Sequence, residues 1–339
     1  MKILFYINSP SSYQFDFFES LKKKKINFHV IFYTKEIRNF KWKFKTNKWS
    51  TYLNKKNKKK HFLKLIKNIE PNIIVLGGYN LKLNYLLNKF TDIKKVYWLE
   101  RVNESNLIKK FIRRKFLLNK LKDAFAILAI GKEAKKYYSK FNKKVFNLPY
   151  SILPNLKNYK KKESQTVNFL FVGQFIKRKG LNRLINVIDN NSFNNARFTF
   201  VGDGPLKAKI RGMATKKNIN YFNFLNKSKL NKIYKVNDVL ILISNFDGWG
   251  VVVIEAMRQK MTVISNKSVG ASLDLIKNKH NGIMVDNYDQ SIIEAINYCS
   301  DNIKKIRKWG TINRNIYQKS LCNSINASNK FKKIITSLK

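Results

Sequence analysis

Short apolar runs alternate along this chain with stretches whose apolar residues recur at helical spacing. Residues 2–8 (KILFYIN) read as a strand closed by Ser9-Pro10-Ser11-Ser12, and residues 13–21 carry a helical stripe. The pattern then gives a strand over 27–33, a helix over 61–69, a strand over 72–76 that ends at Gly77-Gly78, and a helix over 81–90. A strand over 95–99 ends at Glu100, and an amphipathic helix follows over 106–122. A strand over 124–130, a helix to about 141 and a strand over 145–148 complete the first half. Residues 42–60 are basic and aromatic without a clear period, which predicts a loop and the start of a helix.

Pro149, Pro154 and a run of lysines break this rhythm between residues 150 and 166, where a linker is expected. The alternation then restarts with strands over 168–172, 197–201 and 221–224 and helices over 180–188, 206–217 and 229–236. A strand over 239–243, a helix over 251–259, a strand over 261–265, a helical turn over 273–276 and a strand over 282–285 come next. Helices over 290–300, 303–319 and 326–338 close the chain. Strands alternating with helices predict parallel sheets covered on both faces.

The chemistry concentrates between Ile241 and Gly270, ILISNFDGWGVVVIEAMRQKMTVISNKSVG. A buried strand runs into the turn Asp247-Gly248-Trp249-Gly250 and then into a helix. Such a turn aims free backbone N–H groups above a helix N-terminus, a setting that suits a phosphate. Asp247 lies in the turn and Glu255 within the helix, where carboxylates can accept hydrogen bonds from vicinal hydroxyls. Glu255 is flanked by Val251 to Ile254 and by Ala256 and Met257, so it requires a buried partner. Asp247 can also be read as a turn former before Gly248, and Trp249 as a packing residue.

Composition adds three constraints. At 339 residues, 44% hydrophobic and 14% aromatic, the chain is globular and long enough for two cores. No apolar run is long enough to span a bilayer, and MKILFYINSP reads as a first strand rather than a leader. Cys299 and Cys322 form no disulfide framework or zinc pattern, which points to a reducing cytoplasm. The net charge of +49 is extreme: residues 1–160 hold 38 Lys and Arg against 9 Asp and Glu, residues 161–339 hold 31 against 11. The abundance of Lys, Asn and Ile explains part of this excess; attraction to an anionic surface is the functional reading, strongest in the first half. Residues 107–122 (LIKKFIRRKFLLNKLK) fit either an interfacial helix on anionic lipid or a core-packed helix with solvated cations.

Four blocks in order carry a resemblance: FLFVGQFIKRKGLNRLI, FTFVGDGP, the Asp247 to Glu255 segment, and Val263-Ile264-Ser265 with Asn281-Gly282. Together, over residues 168–286, they resemble the retaining glycosyltransferases of family 4. SPSSYQFDFFESL, LGGYN, WLE and DAFAILAIGKEAKKYY in the first half are similar, less specifically, to the subgroup that builds surface polysaccharides. The resemblance implies an α/β chain of the GT-B fold: two Rossmann-like, doubly wound parallel-sheet domains facing a central cleft. The domains expected are 1–155 on the acceptor side and 166–320 on the nucleotide-sugar side, with a helix over 321–339 packing back on the first. The resemblance assigns Gly173, Gln174, Lys179, Gly248, Trp249, Gly250, Val251 and Glu255 to the donor. Lys179 takes the family's lysine position before Gly180, whereas Gln174 stands where the family has an arginine. Lys177 and Arg178 read as solvated loop cations, and Gly202-Asp203-Gly204-Pro205 as a turn of fixed shape. The paired acids are Asp247, facing the transferred sugar in place of a glutamate, and Glu255, accepting from the ribose.

Asp247 and Glu100 are the catalytic candidates; Tyr13, Gly78 and Glu104 are the acceptor-side candidates. None of His29, His61 and His280 sits at a comparable strand end, so no catalytic histidine is assigned. No Asp-x-Asp motif is present, and neither a metal nor another cofactor is expected. The function implied is retaining transfer of a hexose from a nucleoside-diphosphate sugar to a cell-surface glycan or lipid-linked acceptor. The protein would then be cytoplasmic and peripheral on the inner face of the plasma membrane, with an anionic membrane surface as a partner and no nucleic acid. A nucleotide-sugar epimerase or a phosphorylase on the same fold is the enzymatic rival. A basic nucleic-acid-binding protein and a non-catalytic partner are the others, the last motivated by Gln174 and Asp247.

Overall fold

The computed structural model describes residues 1–35, 47–103, 107–121, 124–154, 159, 161, 164–215 and 219–338. They form two compact units, Met1–Tyr150 with Ala327–Lys339, and Ser151–Asn326.

The first unit is built on seven strands: β1 (Ile3–Ile7), β2 (Phe28–Phe32), β3 (Ser50–Tyr52), β4 (Ile73–Leu76), β5 (Lys94–Glu100), β6 (Ala126–Ile130) and β7 (Val145–Asn147). All pair in parallel in the order β3-β2-β1-β4-β5-β6-β7. Its helices are α1 (Ser12–Lys23), α2 (Lys58–Ile69), α3 (Leu107–Leu121) and α4 (Lys132–Tyr138). Every residue of β1 is buried, as a strand covered on both faces must be. Successive side chains take opposite faces. Phe5 meets Phe18 and Phe331 at 5.0 and 5.6 Å on one side, and Tyr6 meets Phe62 at 4.5 Å on the other.

The second unit has six strands: β8 (Val167–Val172), β9 (Ala196–Val201), β10 (Ile219–Phe222), β11 (Val239–Leu242), β12 (Thr262–Ser265) and β13 (Gly282–Met284). They too are parallel, in the order β10-β9-β8-β11-β12-β13. Its helices are α5 (Leu181–Asn190), α6 (Lys207–Ala214), α7 (Lys227–Val236), α8 (Val251–Arg258), α9 (Gly270–Leu275), α10 (Asp289–Asp301) and α11 (Ile303–Lys319); α12 (Ser324–Ser337) enters the first unit. Phe169, Phe171, Leu184, Ile188, Ile241 and Ile296 belong to one continuous core. Asn281 and Asn313 are fully buried and bonded to each other at 2.7 Å, which ties the Asn281-Gly282 block to α11. In both sheets the strand order reverses once, between β1 and β4 and between β8 and β11. At such a switch point the loops diverge and leave room for a ligand.

The chain therefore has the predicted α/β architecture, two Rossmann-like parallel-sheet units, with local corrections. The helix expected over 81–90 is a 3₁₀ segment, Asn84–Lys89, because Leu83 before it is left-handed at φ +67° and stops an α-helix from running through. The aromatic, aperiodic stretch before residue 60 contributes a strand, β3, that pairs Val30 with Ser50 and Phe32 with Tyr52. β10 lies two residues before the predicted strand, set by the pairing of Ile219 with Phe198. The helix expected over 180–188 is α5, and a 3₁₀ turn over Lys177–Lys179 precedes it, with Gly180 left-handed between them.

Candidate functional site

Two turns leave the C-terminal ends of β8 and β11, on either side of the switch point of the second sheet. The first runs from Gly173 to Gly180. Gly180 has φ +71°, and a Cβ there would stand 2.0 Å from the carbonyl oxygen of Ile243, so the two turns touch through a glycine. They are also stapled by hydrogen bonds: the Asn245 N–H donates to Arg178 O at 2.9 Å, and Arg178 Nη1 donates to Phe246 O at 2.8 Å. Arg178 and Lys177 are otherwise exposed. The Gly202 turn closes on the same place, since a Cβ on Gly202 would meet Gly173 O at 1.9 Å.

The second turn carries Asp247. Its N–H donates to Ser268 O at 3.0 Å and its carbonyl accepts from Gly270 N at 3.2 Å, so the backbone is fixed against the loop after β12. The side chain forms an ion pair with Lys179, Nζ to Oδ2 at 2.5 Å, with only 16% and 13% of the two side chains exposed. Lys179 and Asp247 lie 68 positions apart in sequence, and the glycine contact at Gly180 is what lets them meet. Gly250, left-handed at φ +89°, then starts α8, and the Asp247 carboxyl carbon is 3.7 Å from where its Cβ would be. The acid therefore sits by the positive end of a helix as well as by a cation. Trp249 is 2% exposed and packs in the interior.

Val251, Val252 and Glu255 are the half-buried face of α8, while Val253, Ile254, Ala256 and Met257 are buried. The partner that Glu255 requires is Tyr234 on α7, whose hydroxyl donates to Oε2 at 2.8 Å. Burial, then the neighbouring carboxylate, holds the Tyr234 hydroxyl well above its ordinary pKa, so it remains a donor. Tyr234 gave no sequence signal: it sits on a lysine-rich helix whose tyrosine could as well be a core residue. Gln174 is half-buried, and its side chain makes no hydrogen bond with a described residue.

In the first unit, Glu100 is exposed at the end of β5, and its carbonyl accepts from the Tyr138 hydroxyl at 2.9 Å. Tyr13 on α1 stacks obliquely on Tyr150, centroids 4.4 Å apart. The Tyr150 hydroxyl is raised well above its ordinary pKa by burial, then by the nearby Glu100 carboxylate and the Tyr13 hydroxyl. The structure thus joins Tyr13 and Glu100 through Tyr150, a residue that the sequence places only beside a proline in a linker. Gly78 has φ +140° and open space where a Cβ would be. Glu104 lies outside the described residues. On α3, Leu117 and Leu121 are buried, while Ile112, Phe116 and Leu118 are exposed beside Arg114, Lys115 and Lys120.

Among the described residues no three His, Cys, Asp or Glu side chains gather to hold a metal ion, and no helix is long and apolar enough to cross a membrane.

Residues 154–316 match the family model for glycosyl transferases group 1. A relative described as an uncharacterized 41.2 kDa protein in the cps region of Klebsiella pneumoniae is 29% identical over 173 residues, 50% of this chain and 44% of the relative. An undecaprenol-linked-glycan alpha-1,4-N-acetyl-D-galactosaminyltransferase of Campylobacter jejuni is 27% identical over 239 residues, 66% of this chain and 60% of the relative. The matches thus span less than two thirds of either relative. The solved structure of Anabaena HepE in complex with UDP and glucose superposes with a TM-score of 0.78 at 14% identity, covering 99% of this chain and 100% of that one. Residues 154–316 carry the glycosyl transferases group 1 pattern, and the chain around them has the GT-B fold of two Rossmann-like units.

Proposed function

We propose that the protein is a retaining glycosyltransferase that moves a hexose from a nucleoside-diphosphate sugar to a growing surface glycan or a lipid-linked acceptor. The observation that carries this reading is the meeting of Lys179, Asp247 and the N-terminus of α8 at the sheet's switch point, with Glu255 on the same helix. Lys179 and the free N–H groups at the start of α8 suit the donor's diphosphate, whose charge rises as the sugar departs. Glu255, oriented by the Tyr234 hydroxyl, accepts from the ribose hydroxyls, and Asp247 from hydroxyls of the transferred sugar. In a front-face course the leaving phosphate takes the acceptor's proton, so the protein contributes position and field rather than a base. Glu100, Tyr13 and Gly78 are assigned to the acceptor, with Tyr150 added to them.

UDP and glucose in the HepE complex, and the undecaprenol-linked substrate in the name of the Campylobacter relative, favour a nucleotide-sugar donor and a lipid-linked acceptor. A lipid-linked acceptor places the enzyme at the cytoplasmic face of the membrane. The split helix α3, anchored by Leu117 and Leu121 and presenting Ile112, Phe116 and Leu118 among cations, is the surface suited to anionic lipid. The test is transfer of sugar from a donor panel to a lipid-linked acceptor by wild type, Lys179→Ala and Glu255→Ala. Each variant is expected to lose about 100-fold or more in kcat/KM. Near-wild-type transfer by either removes that residue from the site, and hydrolysis or epimerisation without transfer overturns the assignment.

A further inference from the structure

The ion pair between Lys179 and Asp247 has a consequence for how a diphosphate enters, granted the donor reading above. Lys179 is the one cation of the two turns, among described residues, that is not exposed, and Gln174 adds no charge beside it. In this structure that cation is already neutralised by a carboxylate at 2.5 Å. A diphosphate arriving here meets the exposed Lys177 and Arg178 at the rim, but the half-buried cation can take it only when the pair opens. The backbones on both sides are pinned, by Ile243 against Gly180, by Phe246 against Arg178, and by Ser268 and Gly270 against Asp247, so the exchange is confined to side chains.

We infer that Asp247 is the resident counter-ion of Lys179, and that donor binding exchanges partners: the diphosphate takes the lysine and the released carboxylate turns to the sugar's hydroxyls. Two features make the exchange feasible. A lysine has three N–H donors on a flexible stem and can leave one acceptor for another without moving its backbone. The aspartate keeps a favourable field when the lysine leaves, because its carboxyl carbon lies 3.7 Å from the Cβ position of Gly250, at the positive end of α8. The exchange couples the two halves of the donor. A nucleoside diphosphate without its sugar breaks the pair and supplies no hydroxyls for Asp247, so it binds at a disadvantage relative to the intact donor. Asp247 thereby acts on Lys179 as a positioning residue in the free enzyme and touches substrate only in the complex.

The test is calorimetric titration of the full chain with UDP, GDP and ADP, and with the corresponding sugar donors, for wild type, Asp247→Asn, Asp247→Glu, Lys179→Ala and the double variant Lys179→Ala/Asp247→Asn. Asp247→Asn frees the lysine, so it is expected to bind the cognate nucleoside diphosphate about fivefold or more tighter while transferring sugar far more slowly. The gain must vanish in the Lys179→Ala background, and Asp247→Glu must restore both the weaker diphosphate binding and transfer. A local packing defect would weaken binding instead. Unchanged or weaker diphosphate binding by Asp247→Asn overturns the exchange while leaving the donor site standing, provided that the wild type binds. The same gain in the Lys179→Ala background also overturns it. If no nucleoside diphosphate or sugar donor binds any of the five proteins, the donor reading fails and the exchange with it.

Discussion

The two units share one strand order, yet their strand ends are built to different tolerances. In the second unit the turns meet backbone to backbone: a Cβ on Gly180, Gly202 or Gly270 would lie 2.0, 1.9 or 2.4 Å from a carbonyl oxygen of a neighbouring turn. Its acids are engaged, Asp247 by Lys179 and Glu255 by Tyr234. In the first unit the glycines after β4 are less constrained. A Cβ on Gly77 would stand 3.2 Å from the side chain of Ile7, and one on Gly78 would meet nothing within 4 Å. Glu100 is exposed there, with the tyrosines Tyr138 and Tyr150 beside it. A tight, charge-compensated cradle suits a small anionic ligand held in one pose. An open strand end lined by aromatic rings and one carboxylate suits a larger, neutral, hydroxyl-bearing one. The family match covers residues 154–316 and so follows the tight unit.

The largest expected effect is steric. Gly180→Ala places a methyl group against Ile243 O at a left-handed residue, and should destabilise the protein by about 3 kcal/mol or more. Gly77→Ala, in the turn after β4 of the first unit, should cost less than about 1 kcal/mol. Urea unfolding of the two variants measures the difference, and equal losses would erase the contrast in tolerance. Next in size is the Tyr234 hydroxyl. Tyr234→Phe removes the hydroxyl that donates to Glu255, and about tenfold should be lost in kcat/KM for the sugar donor, with about 1 kcal/mol of stability. The counterpart in the first unit is Tyr150→Phe, which should raise KM for the acceptor by about threefold and leave donor affinity unchanged. A shift in donor affinity instead would move Tyr150 from the acceptor to the donor. Smallest per residue is the surface of α3: replacing Ile112, Phe116 or Leu118 by Ser should each weaken binding to anionic vesicles by about 1 kcal/mol while leaving transfer to a soluble acceptor analogue intact. Vesicle co-sedimentation reads this directly, and binding unchanged in the triple variant would exclude α3 as the membrane-facing surface.

Much of the fold was legible because buried parallel strands leave continuous apolar runs, as in β1 and β11, and because glycine punctuates their ends. β3 was not, since a three-residue edge strand with one buried side chain has no alternation to read. The 3₁₀ segment at Asn84–Lys89 keeps the apolar content of a helix, and only the left-handed Leu83 distinguishes it. For the site, the sequence showed that Glu255 required a partner within an apolar helix. It could not show which one, because Tyr234 lies 21 positions away on another helix. Likewise Lys179 and Asp247 were each visible at a turn, but their contact across 68 positions depends on a glycine touching Ile243. Tyr150 was hidden for the opposite reason: a tyrosine after a proline at a boundary carries no periodic signal at all.

The paired turns of the second unit are proposed to bind a nucleoside-diphosphate sugar through Lys179 and Glu255. Titration of wild type and Glu255→Ala with UDP, GDP and ADP tests this most directly. One of these nucleotides is expected to bind the wild type, and Glu255→Ala, still folded, is expected to lose about tenfold or more in affinity for it. No binding by the wild type, or equal binding by both proteins, would contradict the proposal.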